Sequence, residues 1–144
     1  MTGVIGLGAC FDQLYKEYVR PKIIKPTFMC DYPSEMIALA KKHPHDPTKI
    51  ASFQLVVCGT ELLKAYNEVN DPQDQSERWL SEVELAKKGS EIASQFDHDY
   101  IRALEYGMPP TAGWGMGIDR FTQFLTNQPT IKDVILFPSM RKED

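Results

Sequence analysis

The chain has 144 residues, of which 42% are hydrophobic and 25% charged, and its net charge at pH 7 is -4. This length suits one domain with a sizeable core, and the acidic balance argues against a broad electrostatic surface for DNA or RNA. No apolar run is long enough to cross a membrane and no cationic, apolar leader opens the chain, so we expect a cytoplasmic protein that contacts neither membrane nor DNA.

Disulfide and zinc signals are weak in this sequence. The three cysteines are an odd number, are widely spaced and include no C-x-x-C pair, which indicates free thiols in a reducing compartment. The three histidines do not form a zinc-binding pattern. We therefore expect neither disulfides nor a zinc site.

The first segment imitates the start of a dinucleotide-binding fold. Gly6 and Gly8 form a Gly-x-Gly pair, but Phe11 occupies the third glycine position and Pro26 interrupts the second strand that such a fold needs. A loop leading into an amphipathic helix, which Pro21 ends, is the favoured alternative. The predicted apolar stripe of that helix consists of Leu14, Tyr15, Tyr18 and Val19.

The middle of the chain predicts a strand-rich region. Residues 22–30 predict a short edge strand, and a proline-bearing loop follows over residues 31–47. Residues 53–58 predict a strand, and Gly59 with the next residue predicts a tight turn. Residues 61–69 stay ambiguous, because their apolar spacing fits a helix while the preceding turn favours a hairpin.

Two helices with clear start signals follow. Asp71 predicts an N-cap with proline at the first helical position, and the helix extends to about Gly89. Asp97 caps a second predicted helix, which Gly107 ends. Residues 128–141 predict a helical turn and an apolar exit segment.

A glycine segment near the C-terminus carries the most informative pattern. Gly113, Gly115 and Gly117 stand at every second position, so they share one face of a strand and leave it without side chains. A helix is predicted over residues 119–127, with Arg120 in its first turn, where the backbone amides favour an anion. The spacing fits a floor for a nucleotide base and equally fits a strand packed tightly under a helix.

These segments together resemble the C-terminal part of class II lysyl-tRNA synthetases, and the glycine segment resembles motif 3 of that class. The resemblance covers nearly the whole length of the chain. The segments that carry it are Pro26-Thr27-Phe28, Asp31-Tyr32-Pro33, Leu39-Ala40-Lys41-Lys42-His43, Gly59-x-Glu61, residues 65–75, residues 103–111 and residues 133–141. Aspartyl and asparaginyl relatives share the glycine and arginine element, whereas Pro109-Pro110-Thr111 and the C-terminal segment are of the lysyl type.

The resemblance implies an α+β fold, with an antiparallel sheet and flanking helices, in a single partial catalytic domain over residues 1–144. It makes residues 61–69 a strand. It implies that ATP and Mg2+ are cofactors, that lysine is activated to an adenylate, and that lysine, ATP and tRNA(Lys) are the partners. Catalysis of that kind relies on positioning and charge neutralisation.

The resemblance also assigns site residues. Arg120 is the catalytic cation, which neutralises the phosphates, and Glu68 pairs with the side-chain ammonium of the substrate. The ATP-binding residues are Gln54, Leu55, Glu61, Gly115, Gly117, Ile118, Asp119 and Arg120. The lysine-binding residues are Lys64, Tyr66, Glu68 and Gly113. Glu61 and Gln54 are the magnesium ligands. Without the resemblance, Glu61 and Glu68 are better explained as solvated surface carboxylates.

The assigned residues conflict with regular strand geometry. Lys64, Tyr66 and Glu68 share one face of an ideal strand, and Glu61 falls on the other. A single pocket that uses all four needs a β-bulge or a sharp bend near residues 62–63.

Two positions depart from the family pattern. Gln54 stands where the family has a second metal-binding glutamate, and its amide neutralises no charge. Lys64 stands where the family has an asparagine beside the substrate. An ammonium about 4 Å from that of the substrate would cost roughly 4 kcal/mol at an effective dielectric constant of 20, so Lys64 either points away or impairs lysine binding.

The motif 1 dimer helix, the motif 2 strands and the anticodon-binding domain of this homodimeric family have no counterpart in the 144 residues. We therefore expect the chain to be a fragment with little activity by itself. The alternatives are a non-catalytic paralogue that binds a nucleotide or a partner, which Gln54 and Lys64 favour, and a lysine ligase that acts on a protein, which the complete C-terminal segment disfavours.

Overall fold

A computed structural model describes residues 6–88 and 96–139 of the chain, and these contain four α-helices and six strands. The helices are α1 (Leu7–Leu14), α2 (Pro72–Lys87), α3 (His98–Glu105) and α4 (Ile118–Leu125). The strands are β1 (Thr27–Cys30), β2 (Lys42–His43), β3 (Asp46–Ile50), β4 (Ser52–Val57), β5 (Thr60–Asn67) and β6 (Ala112–Met116). No helix in these two ranges has the length and apolar character to cross a membrane.

The main sheet has the order β1-β4-β5-β6, and every neighbouring pair in it is antiparallel. β2 and β3 form a separate two-stranded sheet. The helices flank the main sheet, which confirms the predicted α+β class with an antiparallel sheet.

A tight turn joins β4 to β5. Cys58 and Gly59 both adopt left-handed backbone conformations, with φ of 47° and 70°, as a two-residue hairpin turn requires. The ambiguous segment is therefore a strand. Its helix-like apolar spacing has a local cause, because β5 contains one extra residue, Leu62, which interrupts the alternation of side chains.

The predicted edge strand at residues 22–30 is shorter than expected. A 3-10 turn occupies Arg20–Lys22, and β1 begins only at Thr27, after Pro26. The intervening backbone still pairs with the hairpin turn, since the carbonyls of Ile23 and Ile24 accept hydrogen bonds from residues 59 and 58. β1 does lie at the edge of the sheet, as Pro26 indicated.

The N-terminal helix has the predicted position but not the predicted stripe. Tyr15 is buried, whereas Leu14, Tyr18 and Val19 are about half exposed. The helix changes to wider π turns at Tyr15–Val19, so helical spacing does not place these residues on one buried face. A Cβ on Gly8 would lie 2.8 Å from a backbone oxygen of the 34–36 turn, so this glycine permits close packing of α1.

The proline-bearing loop is more ordered than predicted. It contains a 3-10 turn at Ser34–Met36 and the hairpin of β2 with β3. Tyr32, Ala40 and Ile50 from this segment form a buried cluster, and Tyr66 of the main sheet packs against it. The segment therefore covers one end of the main sheet.

Both predicted helix caps are confirmed. The carboxylate of Asp71 accepts hydrogen bonds from two backbone amides at the start of α2, and Asp97 accepts one at the start of α3. Gly107 follows α3 with a φ of 101°. Gly89, the predicted end of α2, lies outside the described residues, as do residues 140 and 141 of the exit segment. The predicted helical turn is a 3-10 turn at Ile131–Val134.

Candidate functional site

A β-bulge in β5 lies where the site assignments require one. Leu55 pairs with Leu63, but the next pair is Val56 with Glu61, so Leu62 is an extra residue without a partner in β4. Residues that pair directly across antiparallel strands project from the same face. The bulge therefore brings Glu61 onto the face that carries Lys64.

We call this side of the main sheet the site face. Its central row joins Gln54, Lys64 and Gly115, and the next row joins Ser52, Tyr66 and Gly113. Leu55 belongs to the opposite face, so only its backbone is available to a ligand on the site face. The sheet thus aligns most of the assigned residues of β4, β5 and β6 in two rows.

The glycine floor consists of two residues rather than three. Gly113 and Gly115 lie in β6, whereas Gly117 is the N-cap of α4 and its amide donates to the carbonyl of Leu62. A Cβ on Gly115 would meet no atom within 4 Å. A Cβ on Gly113 would lie 2.5 Å from a carboxylate oxygen of Glu68. One half of the floor is open, and Glu68 covers the other half.

Glu68 lies between two tyrosines. Burial raises the pKa of its carboxyl group, and burial together with the charge of Glu68 raises the pKa of both Tyr66 and Tyr100. The carboxylate makes no ion pair or hydrogen bond within residues 6–88 and 96–139. A partly buried carboxylate without a partner is suited to bind a cation.

Tyr100 was not among the residues assigned from the sequence. It lies in the first turn of α3, and its ring packs against Trp79 of α2 with the ring centroids 5.3 Å apart. Nothing in the local sequence marks this position, because its proximity to Glu68 depends on how α3 packs.

Gln54 is held by a second unassigned tyrosine. The hydroxyl of Tyr32 donates a hydrogen bond of 2.9 Å to the Gln54 side-chain oxygen, and both residues are buried. Burial raises the pKa of Tyr32 strongly, and the charge of Glu61 adds to the effect. The hydroxyls of Tyr15 and Ser52 are buried nearby without a partner in the described residues.

The predicted magnesium ligands Glu61 and Gln54 differ in exposure and in charge. Glu61 offers a partly exposed carboxylate, but the Gln54 oxygen is buried and already accepts from Tyr32. A neutral amide also contributes no charge to a hard cation. No group of three or more His, Cys, Asp or Glu in the described part of the chain is arranged to hold a metal ion.

The side chain of Arg120 contacts the backbone of the bulge. Its guanidinium donates a 3.1 Å hydrogen bond to the carbonyl of Glu61, and its remaining donors are exposed. Ile118 and Asp119 lie beside it in the first turn of α4 and are also exposed. Arg120 lines a cleft of about 350 Å³ between the β4–β5 hairpin and α4, and that cleft does not include the glycine floor.

Comparisons with known proteins all identify class II tRNA synthetases. The family model of the class II tRNA synthetases (D, K and N) matches residues 13–141. A lysine-tRNA ligase of Thermosipho melanesiensis is 50% identical over 134 residues, which are 93% of this chain and 26% of that protein. One of Carboxydothermus hydrogenoformans is 48% identical, over 97% of this chain and 29% of that protein. One of Christiangramia forsetii is 46% identical, over 96% and 24%. The chain spans about a quarter of the length of these relatives.

Proposed function

Because the chain belongs to the class II tRNA synthetases (D, K and N), we propose that it forms part of the catalytic domain of a lysine-tRNA ligase, which activates lysine with ATP and transfers it to tRNA(Lys). The observation that carries the proposal is the β5 bulge. It places Glu61 in line with Lys64 and Tyr66, opposite the glycines of β6. The relatives favour this function over a non-catalytic binding module.

The lysine end of the site is formed by Glu68. Its carboxylate has no cationic partner in the described ranges and lies against Gly113, where there is no side chain to displace it. A substrate ammonium would supply the missing opposite charge, and the rings of Tyr66 and Tyr100 would enclose its apolar stem. Pairing of a partly buried carboxylate with an ammonium is a charge-assisted interaction that discriminates against neutral side chains.

The nucleotide end is formed by Gly115 and the start of α4. The open space over Gly115 admits a planar group against the strand. The exposed donors of Arg120 are available to the phosphates, next to the N-terminal amides of α4. In the proposed reaction a lysine carboxylate oxygen attacks the α-phosphorus, the new P–O bond forms, and the bond to pyrophosphate breaks. The protein positions the reactants and neutralises charge.

Glu61 is the residue that could contact a magnesium ion carried by ATP. Since Gln54 would add no charge to such an ion, we assign phosphate neutralisation to Arg120. Aminoacylation of tRNA(Lys) is part of the same proposal and is supported by the names of the relatives. A cytoplasmic location is proposed with it.

The test is a chimaera in which residues 13–141 replace the matching segment of the Carboxydothermus hydrogenoformans ligase. We expect lysine-dependent exchange of pyrophosphate into ATP. The same chimaera with Glu68→Gln is a matched control that changes a charge but little volume, and it should lose the exchange. A folded chimaera without exchange, or exchange that survives Glu68→Gln, would contradict the proposal.

A further inference from the structure

The two residues that depart from the family pattern are partners in the sheet. Gln54 and Lys64 face each other directly across β4 and β5, so their Cβ atoms are about 5 Å apart. Lys64 pairs on its other side with Gly115, above which there is open space. A lysine is therefore the central member of this row of the site face, with a neutral amide on one side and a glycine on the other.

Lys64 lacks a partner of opposite charge. Within residues 6–88 and 96–139 its side chain makes no ion pair or hydrogen bond. Glu61 lies in the next row of the same face and Glu68 directly follows β5, and neither forms an ion pair with Lys64 in the described residues. The positive charge of Lys64 is thus available to an anion placed over Gly115.

The repulsion expected from the sequence is weakened by Glu68. Its carboxylate lies against Gly113, one row or about 7 Å from the pair of Lys64 with Gly115, and a substrate ammonium bound there is paired with an opposite charge, so it repels Lys64 less than a lone ammonium would. A lysine whose ammonium lies at Glu68 and whose stem follows Tyr66 directs its carboxylate end toward Lys64. The same position is open to a phosphate of a nucleotide on the floor.

We propose that Lys64 is an anion-binding residue of the site face, which contacts the oxyanion at the junction of the lysine carboxylate and the ATP phosphates. It supplies there a positive charge that needs no metal ion held by residue 54. The inference rests on the proposed function and deepens it. A lysine ammonium is a compact charge with three donors, which suits a single oxyanion.

The test measures equilibrium binding of ATP and of L-lysine, separately, to the full chain by calorimetry. Lys64→Asn is compared with Lys25→Asn, a control with the same change of charge at an exposed lysine before β1. Lys64→Asn should weaken binding by about tenfold, which corresponds to about 1.4 kcal/mol, and the control should leave it unchanged. If Lys64→Asn weakens the binding of ATP alone, Lys64 contacts a phosphate. If it weakens the binding of lysine alone, Lys64 contacts the substrate carboxylate.

A magnesium series at constant ionic strength supplies a second readout. ATP binding by the wild type should change little with magnesium, whereas the double variant Gln54→Glu, Lys64→Asn should bind ATP only with it. If the wild type binds either ligand and Lys64→Asn binds both equally well, the inference about Lys64 is wrong and the proposed function stands. ATP binding by the wild type that strictly needs magnesium also overturns the inference. If the wild-type chain binds neither ligand, Lys64 forms no anion site in this chain and the inference is wrong, whereas the proposed function is judged by the chimaera alone.

Discussion

Glu68 and Gly113 depend on each other at the scale of single residues. Any side chain at position 113 would collide with the carboxylate, since even a Cβ would lie 2.5 Å from it. The carboxylate is partly buried, and burial raises its pKa. The folded protein therefore holds a carboxylate in a position that disfavours its charge, which is common at binding sites.

Replacing Glu68 with Gln should stabilise the protein and remove lysine binding. A carboxyl group whose pKa is raised by folding binds more protons in the folded state, so the free energy of unfolding falls as the pH rises from 4.5, the ordinary value, through the folded pKa. Glu68→Gln removes this fall in the free energy of unfolding, because glutamine does not ionise. At neutral pH the gain should be well under about 1 kcal/mol, because solvent screens the group.

Thermal melting at neutral pH and below pH 4.5 checks this expectation. The variant should melt higher than the wild type at neutral pH, and the difference should vanish in acid. A variant that is less stable at neutral pH would mean that the Glu68 carboxylate makes a favourable contact.

The two floor glycines should respond differently to alanine. Neither has a positive φ, so Ala is not strained at either position, and Gly115→Ala should leave the stability equal or raise it by about 0.4–1 kcal/mol. The new methyl group would occupy the open floor, so binding of ATP should weaken. Gly113→Ala should instead displace Glu68 and weaken lysine binding. Calorimetry with each ligand distinguishes them, and ATP binding unchanged in Gly115→Ala would argue against a nucleotide on this floor.

Among the elements, α2 depends on its N-terminal cap. The Asp71 carboxylate accepts hydrogen bonds from the amides of Gln73 and Asp74 at 2.9 and 3.4 Å. Asp71→Ala should lower the free energy of unfolding by about 1 kcal/mol, since those amides lose their acceptor. Asp71→Asn is the matched control, because asparagine caps about as well. Urea denaturation measures both, and equal stability of Asp71→Ala and the wild type would show that the cap contributes nothing.

At the scale of the whole molecule, the sheet face opposite the site is widely exposed. Phe28 and Trp114 are 64% and 67% exposed, and Phe28 packs edge-on against Phe53. Aromatic side chains exposed together on one face indicate a surface that another polypeptide normally covers.

The isolated chain should therefore self-associate as its concentration rises. Phe28→Thr with Trp114→Thr should reduce the association, because it removes most of the exposed aromatic area while changing stability little. Light scattering over a concentration series measures the effect. Leu136→Thr is the control, since Leu136 is 90% exposed but lies outside this face. If the double variant associates as strongly as the wild type, the association occurs through another surface.

Local signals predicted much of the fold. The apolar run of β4, the caps Asp71 and Asp97, and two of the three alternating glycines each depend on neighbouring residues and are found as expected. Predictions failed where packing at a distance decides the outcome. The helical spacing of residues 14–19 gave a wrong stripe because the helix changes to π turns. The two-residue strand β2 carries no sequence pattern.

The candidate site was also predictable only where local signals determine it. The need for a bulge followed from the alternation of β5 once Glu61 and Glu68 were both assigned to one pocket. The contacts of Tyr32 with Gln54 and of Tyr100 with Glu68 join distant parts of the chain. No local pattern encodes them.

The bulge at Leu62 also determines where the chain can change in length. If Leu62 were deleted, Glu61 would directly precede Leu63. Every other residue from Thr60 to Asn67 would keep the partner that it has in the neighbouring strands. A deletion elsewhere in β5 would be absorbed at the bulge by shifting the intervening residues by one pair, which turns their side chains over to the opposite face. Leu62 is thus the one position in β5 at which related sequences can differ by a residue and still present the same row of side chains. An alignment gap placed one or two residues away would mispair Glu61 or Lys64 with an apolar position.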